Sequence, residues 1–164
     1  MQTKEQIFEE VNAVLNKLSI KIKEIDTTRP WGGFFVIEEN DATVFIDNFF
    51  PEVEKSQLNK GKLSPKILLV SPDKKLSWQY HFRRAEIWKL IKGEAAIIRS
   101  ETDMEGESHN MITGEVVNLK QGERHRLIGL NDWGIVAEIW MHTDPNHPSD
   151  EEDIVRINDE FGRK

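Results

Sequence analysis

The feature that most constrains the fold is a series of short apolar segments separated by turn-forming residues. Many of the segments are rich in β-branched and aromatic side chains, which is typical of strands. We see no helical periodicity between them, so alternating β-α units are excluded and a sandwich, barrel or jelly roll is predicted. The predicted strands are GFFVI, ATVFI, KILLV, LSWQYHF, EIWKL, EAAIIRS, GEVVNL, HRLIGL and GIVAEIWM.

Helices are predicted only at the two ends of the chain. Residues 4–18 place apolar side chains at Ile7, Val11 and Leu15 among Lys and Glu, which indicates an amphipathic helix. Residues 150–164 begin with acidic side chains, which favour the first turn of a short C-terminal helix. With 164 residues in total, we expect a helical extension over 1–26 and a single domain over 27–164.

Composition narrows the function further. The chain has no cysteine, so disulfides and thiolate metal sites are excluded. Its net charge of −7 disfavours nucleic acid and anionic membranes as partners. The first residues are charged and lack the apolar segment of a signal peptide, so a cytoplasmic location is expected.

A potential metal site lies between residues 76 and 88. In a strand Gln79 and His81 share one face and would point into the barrel together. Glu86 is an odd number of residues from His81, so in one continuous strand it would point to the opposite face. It joins them if the chain turns through residues 82–85. His125 could supply a fourth ligand from a later strand. Two imidazoles and two oxygens suit one divalent ion, with zinc the first choice and manganese, cobalt, nickel or iron(II) acceptable.

These residues resemble two short motifs of the cupin superfamily, and more closely the type II phosphomannose isomerases. The phrase L-S-x-Q-x-H-x-H-R-A-E-x-W of that family is matched at Leu76, Ser77, Gln79, His81, Arg84, Ala85, Glu86 and Trp88. Three further phrases are similar, namely RPWG at 29–32, HRL at 125–127 and the pair EDIVR and FGR at 152–163. The resemblance implies a mainly β cupin jelly-roll barrel and a metal held by Gln79, His81, Glu86 and His125. Many relatives carry a fused pyrophosphorylase domain, and here we expect the isomerase domain alone.

The activity implied by the resemblance is the conversion of mannose 6-phosphate to fructose 6-phosphate through an enediolate. Glu138 shares parity with Trp140 on its strand and is the candidate proton-transferring base, with Arg84 as a second catalytic residue. Lys66, Arg126 and Arg156 are candidates for binding the substrate, because guanidinium and ammonium groups pair well with phosphate.

Other functions are compatible with the same residues. The protein could isomerise an unphosphorylated ketose, or be a non-catalytic cupin that binds a metal or a sugar. Lys66 and Arg84 facing the pocket would favour a phosphorylated substrate, whereas a pocket plugged by Trp78 or Phe82 would favour the non-catalytic alternative. Without a metal the four polar residues would form only a hydrogen-bonded cluster, and Glu138 could instead orient a ligand histidine. An exposed edge strand makes a homodimer plausible.

Overall fold

The computed structural model describes residues 1–58 and 61–163, and the predicted domain span of 27–164 includes three residues outside them. Two α-helices and nine strands are present in this part of the chain. The helices are α1 (Lys4–Lys17) and α2 (Ala42–Phe49). The strands are β1 (Ile22–Asp26), β2 (Gly32–Ile37), β3 (Lys66–Val70), β4 (Trp78–Tyr80), β5 (Arg84–Ser100), β6 (His109–Asn110), β7 (Val116–Leu119), β8 (Arg124–His142) and β9 (Val155–Asn158).

Helix α1 forms as the sequence predicts. Thr3 caps it, because its hydroxyl accepts the N–H of Gln6 while the Gln6 side chain accepts the N–H of Thr3. The buried face packs against β2 and α2 in one apolar cluster, and its members on the helix are Ile7, Phe8, Val11 and Leu15. β1 also lies within residues 1–26 and pairs with β2. The division of the chain at residue 26 stays a prediction.

Two long strands, β5 and β8, organise the sheet. They pair with each other from Arg84 and His142 at one end to Ser100 and Arg124 at the other. Their register shifts near Gly93, where a Cβ atom would lie 1.8 Å from the Trp133 carbonyl oxygen. Glycine therefore permits the close approach at which the pair bends. Each long strand was predicted as two separate short strands, because the polar residues at the bend resemble turn-formers.

The remaining strands extend this pair into a barrel-like sheet. One path of hydrogen-bonded neighbours runs β1-β2-β3-β8-β4-β9, and β5 adds β6, β7 and β8 as its own neighbours. All five residues of β3 are buried because both faces of the sheet are covered there. Ile67 and Leu69 pack beneath the helices, whereas Leu68 and Val70 face the barrel interior.

Two predicted elements were wrong. The segment ATVFI was predicted as a strand but begins α2, because Ala42, Phe45 and Ile46 lie at helical spacing and cover the outer face of the sheet. A C-terminal helix was predicted, but this segment forms a turn followed by β9. Asp150 accepts the N–H groups of residues 152 and 153 and closes this turn, after which β9 pairs with β4.

No helix within residues 1–58 or 61–163 is long and apolar enough to span a membrane.

Candidate metal centre

Three strands bring the predicted metal ligands together. Gln79 in β4 is paired with His125 in β8, so these two residues lie side by side. His81 directly follows β4, and the chain then bends through Phe82 and Arg83 before β5 begins. This bend is the turn that the sequence requires for Glu86 to join the histidines.

His81, Glu86 and His125 converge on one point in the buried interior. The Oε1 atom of Glu86 lies 3.2 Å from Nε2 of His81 and 2.9 Å from Nε2 of His125. Their side chains are at most 3% exposed. Within the described part of the chain, these three residues form the one group of histidine and acidic side chains whose ligand atoms all lie within 4.8 Å of one another.

Backbone carbonyls orient both imidazole rings. Nδ1 of His81 lies 2.7 Å from the carbonyl oxygen of Asp153, and Nδ1 of His125 lies 2.9 Å from that of Glu123. A carbonyl oxygen can only accept, so each Nδ1 carries the hydrogen. In a neutral imidazole this leaves the Nε2 lone pair directed towards Glu86. Such an arrangement is typical of histidines that bind metal ions.

The charges at this point favour a bound cation. Burial raises the pKa of Glu86, but Arg84 and the two histidines outweigh it and hold the pKa well below its usual value. Burial is the main reason that the pKa of His81 is lowered, which favours the neutral form of its ring. Glu86 Oε1 and His125 Nε2 are both buried and have no hydrogen-bond donor. Three converging acceptor atoms therefore fit a divalent metal ion, which would satisfy all of them.

Gln79 is the neighbour of one member of this group, because it is paired with His125. Its Oε1 atom accepts a 2.7 Å hydrogen bond from the Ser77 hydroxyl, and its side chain lines the adjoining cavity. An amide oxygen has two lone pairs, so this hydrogen bond leaves one available to an ion. Its role as fourth ligand stays a prediction.

Glu138 lies on the same interior face as Glu86. Its Oε2 atom accepts a 2.7 Å hydrogen bond from the Trp88 indole, and its Oε1 atom accepts one of 2.9 Å from Trp140. Burial is the largest cause that raises the pKa of Glu138 well above its usual value, and the charge of Glu86 raises it further. The charges of Lys66 and Arg84 act in the opposite direction but are outweighed. A proton is therefore held at this carboxyl far more firmly than on an exposed glutamate.

The metal group adjoins a small polar cavity of about 70 Å³. Its wall carries eight ionisable side chains. The cations are Arg29, Lys66, Arg84, Arg156 and Arg163, and the carboxyl groups are Glu86, Glu138 and Glu151. Apolar side chains close the remaining wall, among them Trp31, Phe34, Trp88 and Trp140.

A family comparison identifies the protein class. The model of the family described as mannose-6-phosphate isomerase C-terminal matches residues 43–159, which is more than half of the chain. The chain belongs to this family. No match was found among curated proteins. The match includes all of the predicted metal ligands and ends before Arg163.

Solved structures confirm that this member of the mannose-6-phosphate isomerase C-terminal family has the cupin fold. It is similar to the capsular polysaccharide assembling protein CapF from Staphylococcus aureus, with a TM-score of 0.54 and 14% identity over 85% of this chain and 34% of CapF. A vicilin from Corylus avellana (hazelnut) gives 0.54 and 18%, over 79% of this chain and 35% of the vicilin. A recombinant oxalate oxidase in complex with glycolate gives 0.52 and 18%, over 80% of this chain and 58% of that protein. The chain spans about a third of CapF and of the vicilin, and identities this low show the fold alone.

The predicted substrate residues of this family member are only partly brought together. Lys66, Arg84 and Arg156 line the cavity. Arg84 places its Cζ atom 3.6 Å from the centroid of the Trp140 ring. It donates to the Ser149 hydroxyl and the Asp150 carbonyl, and its second terminal nitrogen lies 3.3 Å from Nε2 of His81. It therefore touches both the metal group and the cavity wall.

Arg126 is the predicted substrate residue that the structure does not bring to the cavity. All three of its nitrogens donate to groups elsewhere, with Leu76, Glu105 and Asn158 as their partners. It is 1% exposed and absent from the cavity wall. Arg126 thus connects β8 to neighbouring segments. The alternation of residues along β8 does not predict these contacts, because β8 bends and the arginine side chain is long enough to reach partners away from its own position.

Several cavity residues were not predicted from the sequence. Arg29 and Arg163 line the cavity, and they lie in the RPWG and FGR phrases that carry the resemblance. Those phrases were therefore a usable signal, although neither arginine was assigned a role. Asp153 was also missed. Its carboxylate accepts the N–H groups of Phe82 and Arg83 and the Ser149 hydroxyl, while its carbonyl orients His81.

Proposed function

We propose that this protein is a metal-dependent aldose-ketose isomerase that converts mannose 6-phosphate to fructose 6-phosphate. The observation that carries the proposal is the buried set of acceptor atoms on His81, Glu86 and His125, placed beside a cavity that contains both an acid-base candidate and several cations. The family described above supports a sugar-phosphate substrate.

His81, Glu86 and His125 would hold the ion, with Gln79 as the proposed fourth ligand. A divalent ion in this position would supply positive charge to the hydroxyl and carbonyl oxygens at C1 and C2 of the sugar. Zinc is the expected ion, and manganese, cobalt, nickel or iron(II) would be compatible with nitrogen and oxygen ligands.

Glu138 is the proposed proton-transferring group. Isomerisation removes a proton from C2 of the aldose and returns it to C1, so one group must both accept and release it. The raised pKa of Glu138 suits this exchange, because the carboxylate binds a proton readily. Trp88 and Trp140 hold both carboxyl oxygens in place through their indole N–H groups. Glu138 thus approaches the sugar from a fixed orientation.

Lys66, Arg84 and Arg156 are proposed to bind the anionic part of the substrate. Lys66 and Arg84 line the cavity, which by our sequence criterion favours a phosphorylated sugar over an unphosphorylated ketose. Arg84 also lies beside Glu86, with its Nε atom 3.6 Å from Oε2. It is therefore placed to stabilise negative charge that develops near C1 and C2 during the reaction.

A non-catalytic metal-binding cupin is the second candidate function. One observation favours it: the cavity of about 70 Å³ is small beside the roughly 300–1,000 Å³ of typical small-molecule pockets. The two aromatic side chains suspected of plugging the pocket do not support it. Phe82 is 60% exposed, and Trp78 donates its indole N–H to Asp103, away from the cavity wall.

A coupled isomerase assay on mannose 6-phosphate tests the proposal. Protein loaded with zinc, cobalt or manganese should be active, whereas chelator-treated protein and His81→Ala should be inactive. His147→Ala, which changes an exposed histidine, serves as the matched control and should keep full activity. Inactivity with every metal, in protein shown to bind metal, would favour the non-catalytic candidate. The same samples tested with free mannose separate a phosphate-dependent isomerase from one that acts on unphosphorylated sugars.

A further inference from the structure

Lys66 is a buried ammonium group that requires a negative partner. Its side chain is 7% exposed and lies over the rings of Phe34 and Trp140, at 4.8 Å and 4.3 Å from their centroids. The rings stabilise the charge only in part, because they replace few of the hydrogen bonds that water would make. An ion pair between Lys66 and Glu151 supplies the carboxylate.

Glu151 differs from the other carboxyl groups of the cavity in how it is held. Glu86 and Glu138 project from central strands, whereas Glu151 lies in the turn that precedes β9. Its side chain is 57% exposed, although it reaches the buried Lys66. Ser149 and Asp153 on either side of it are buried and hydrogen-bonded to each other. The ends of the turn are thus fixed, while Glu151 itself can swing into solvent at low cost.

The same end of the cavity is lined by several cations, and Arg29 among them is paired with Asp26 at 3.0 Å. Arg29, Arg156 and Arg163 line the cavity together. Burial lowers the pKa of Arg156, and the charges of Arg163 and Arg29 lower it further. Asp159 and Glu151 act in the opposite direction. Asp159 is occupied by a two-pronged ion pair with Arg163. If Glu151 leaves, the cavity gains space and loses a negative charge at the same moment.

We propose that Glu151 is a displaceable anion, which pairs with Lys66 and is replaced there by the phosphate group of a ligand. The ligand class is a phosphate monoester or free phosphate. Only the identity of the sugar that carries the phosphate rests on the proposed function. It also explains how a cavity of about 70 Å³ could admit a larger substrate, since Glu151 forms part of its wall.

Calorimetric titration with inorganic phosphate tests the displacement without any turnover. Glu151→Gln keeps the size of the side chain and removes its charge, so phosphate should bind about five-fold tighter than to the wild type, the gain expected from removing one partly exposed ion pair. Glu152→Gln is the matched control, because it removes an exposed carboxylate from the next residue. It should leave phosphate binding within about two-fold.

Two further arms make the result decisive. Lys66→Met in the Glu151→Gln background should abolish the gain, and circular dichroism of each variant verifies that it is folded. Mannose 6-phosphate should gain as much as inorganic phosphate, while mannose should gain nothing. Unchanged phosphate binding in Glu151→Gln, an equal gain in Glu152→Gln, or no phosphate binding by any variant would overturn the proposal. A gain in binding without isomerase activity would uphold it and remove the proposed function instead.

Discussion

The two faces of β8 are equally buried but differ in chemistry. On the outer face Ile135, Ala137 and Ile139 pack beneath the helices. On the inner face Val136 is followed by Glu138 and Trp140, which line the cavity. Glu138 is 4% exposed and Ile139 is 0% exposed. Burial alone therefore does not separate structural from functional residues. A buried charge does, because it is costly unless neighbouring groups satisfy it.

The largest expected effect comes from the inner face. Glu138→Gln keeps the shape of the side chain but cannot carry the proton between C1 and C2, so kcat should fall by about 10²–10⁴-fold. Metal affinity should change only a few-fold, because the ligand atoms belong to other residues. Steady-state kinetics and a metal-competition titration measure the two quantities. Glu107→Gln, an exposed control, should alter neither. Full activity of Glu138→Gln would mean that Glu138 is not the base.

The neighbouring outer-face residue should behave in the opposite way. Ile139→Ala leaves a cavity beneath the helices and should lower the free energy of unfolding by about 2–4 kcal/mol. Urea denaturation measures this loss, and the folded variant should keep wild-type metal affinity. Val44→Ala, at a partly exposed position of α2, should cost less than about 0.5 kcal/mol. A loss of metal affinity in Ile139→Ala would show that the two faces are not independent.

A smaller effect is expected at Asp153, which links the turn before β9 to His81. Burial raises the pKa of Asp153, but the Ser149 hydroxyl and the N–H groups of Phe82 and Arg83 outweigh it and lower the pKa. The stability from this carboxylate is therefore present above the unfolded-state pKa of about 3.9 and is lost as pH falls through the folded-state pKa. Asp153→Asn should cost about 1–2 kcal/mol at neutral pH.

Thermal unfolding of Asp153→Asn and wild type from neutral to acidic pH measures this difference. The two stability curves should converge as the wild-type carboxylate becomes protonated. Curves that stay parallel, with an equal loss at every pH, would contradict the assigned role of the charge and would indicate a steric cause instead.

The sequence predicted the features that depend on local spacing. Alternation along β8 placed Glu138 and Trp140 on one face, and the bend after His81 was required for Glu86 to join it. The sequence could not reveal features that depend on partners far along the chain. The α2 segment has the composition of a strand, and it is helical because its apolar face covers the outer face of the sheet. The segment after residue 150 forms a turn rather than a helix, because the following residues pair with β4 as β9. Arg29 and Arg163 reach the cavity only through the fold.

The proposed function depends on the binding of one divalent metal ion by His81, Glu86 and His125. Titration of chelator-treated protein with cobalt(II), followed by the visible absorption of the bound ion, tests it most directly. We expect one ion per chain for the wild type, about 100-fold weaker binding or worse for His125→Ala, and unchanged binding for His109→Ala, which alters an exposed histidine. No binding by the wild type, or equal binding by His125→Ala, would contradict the account.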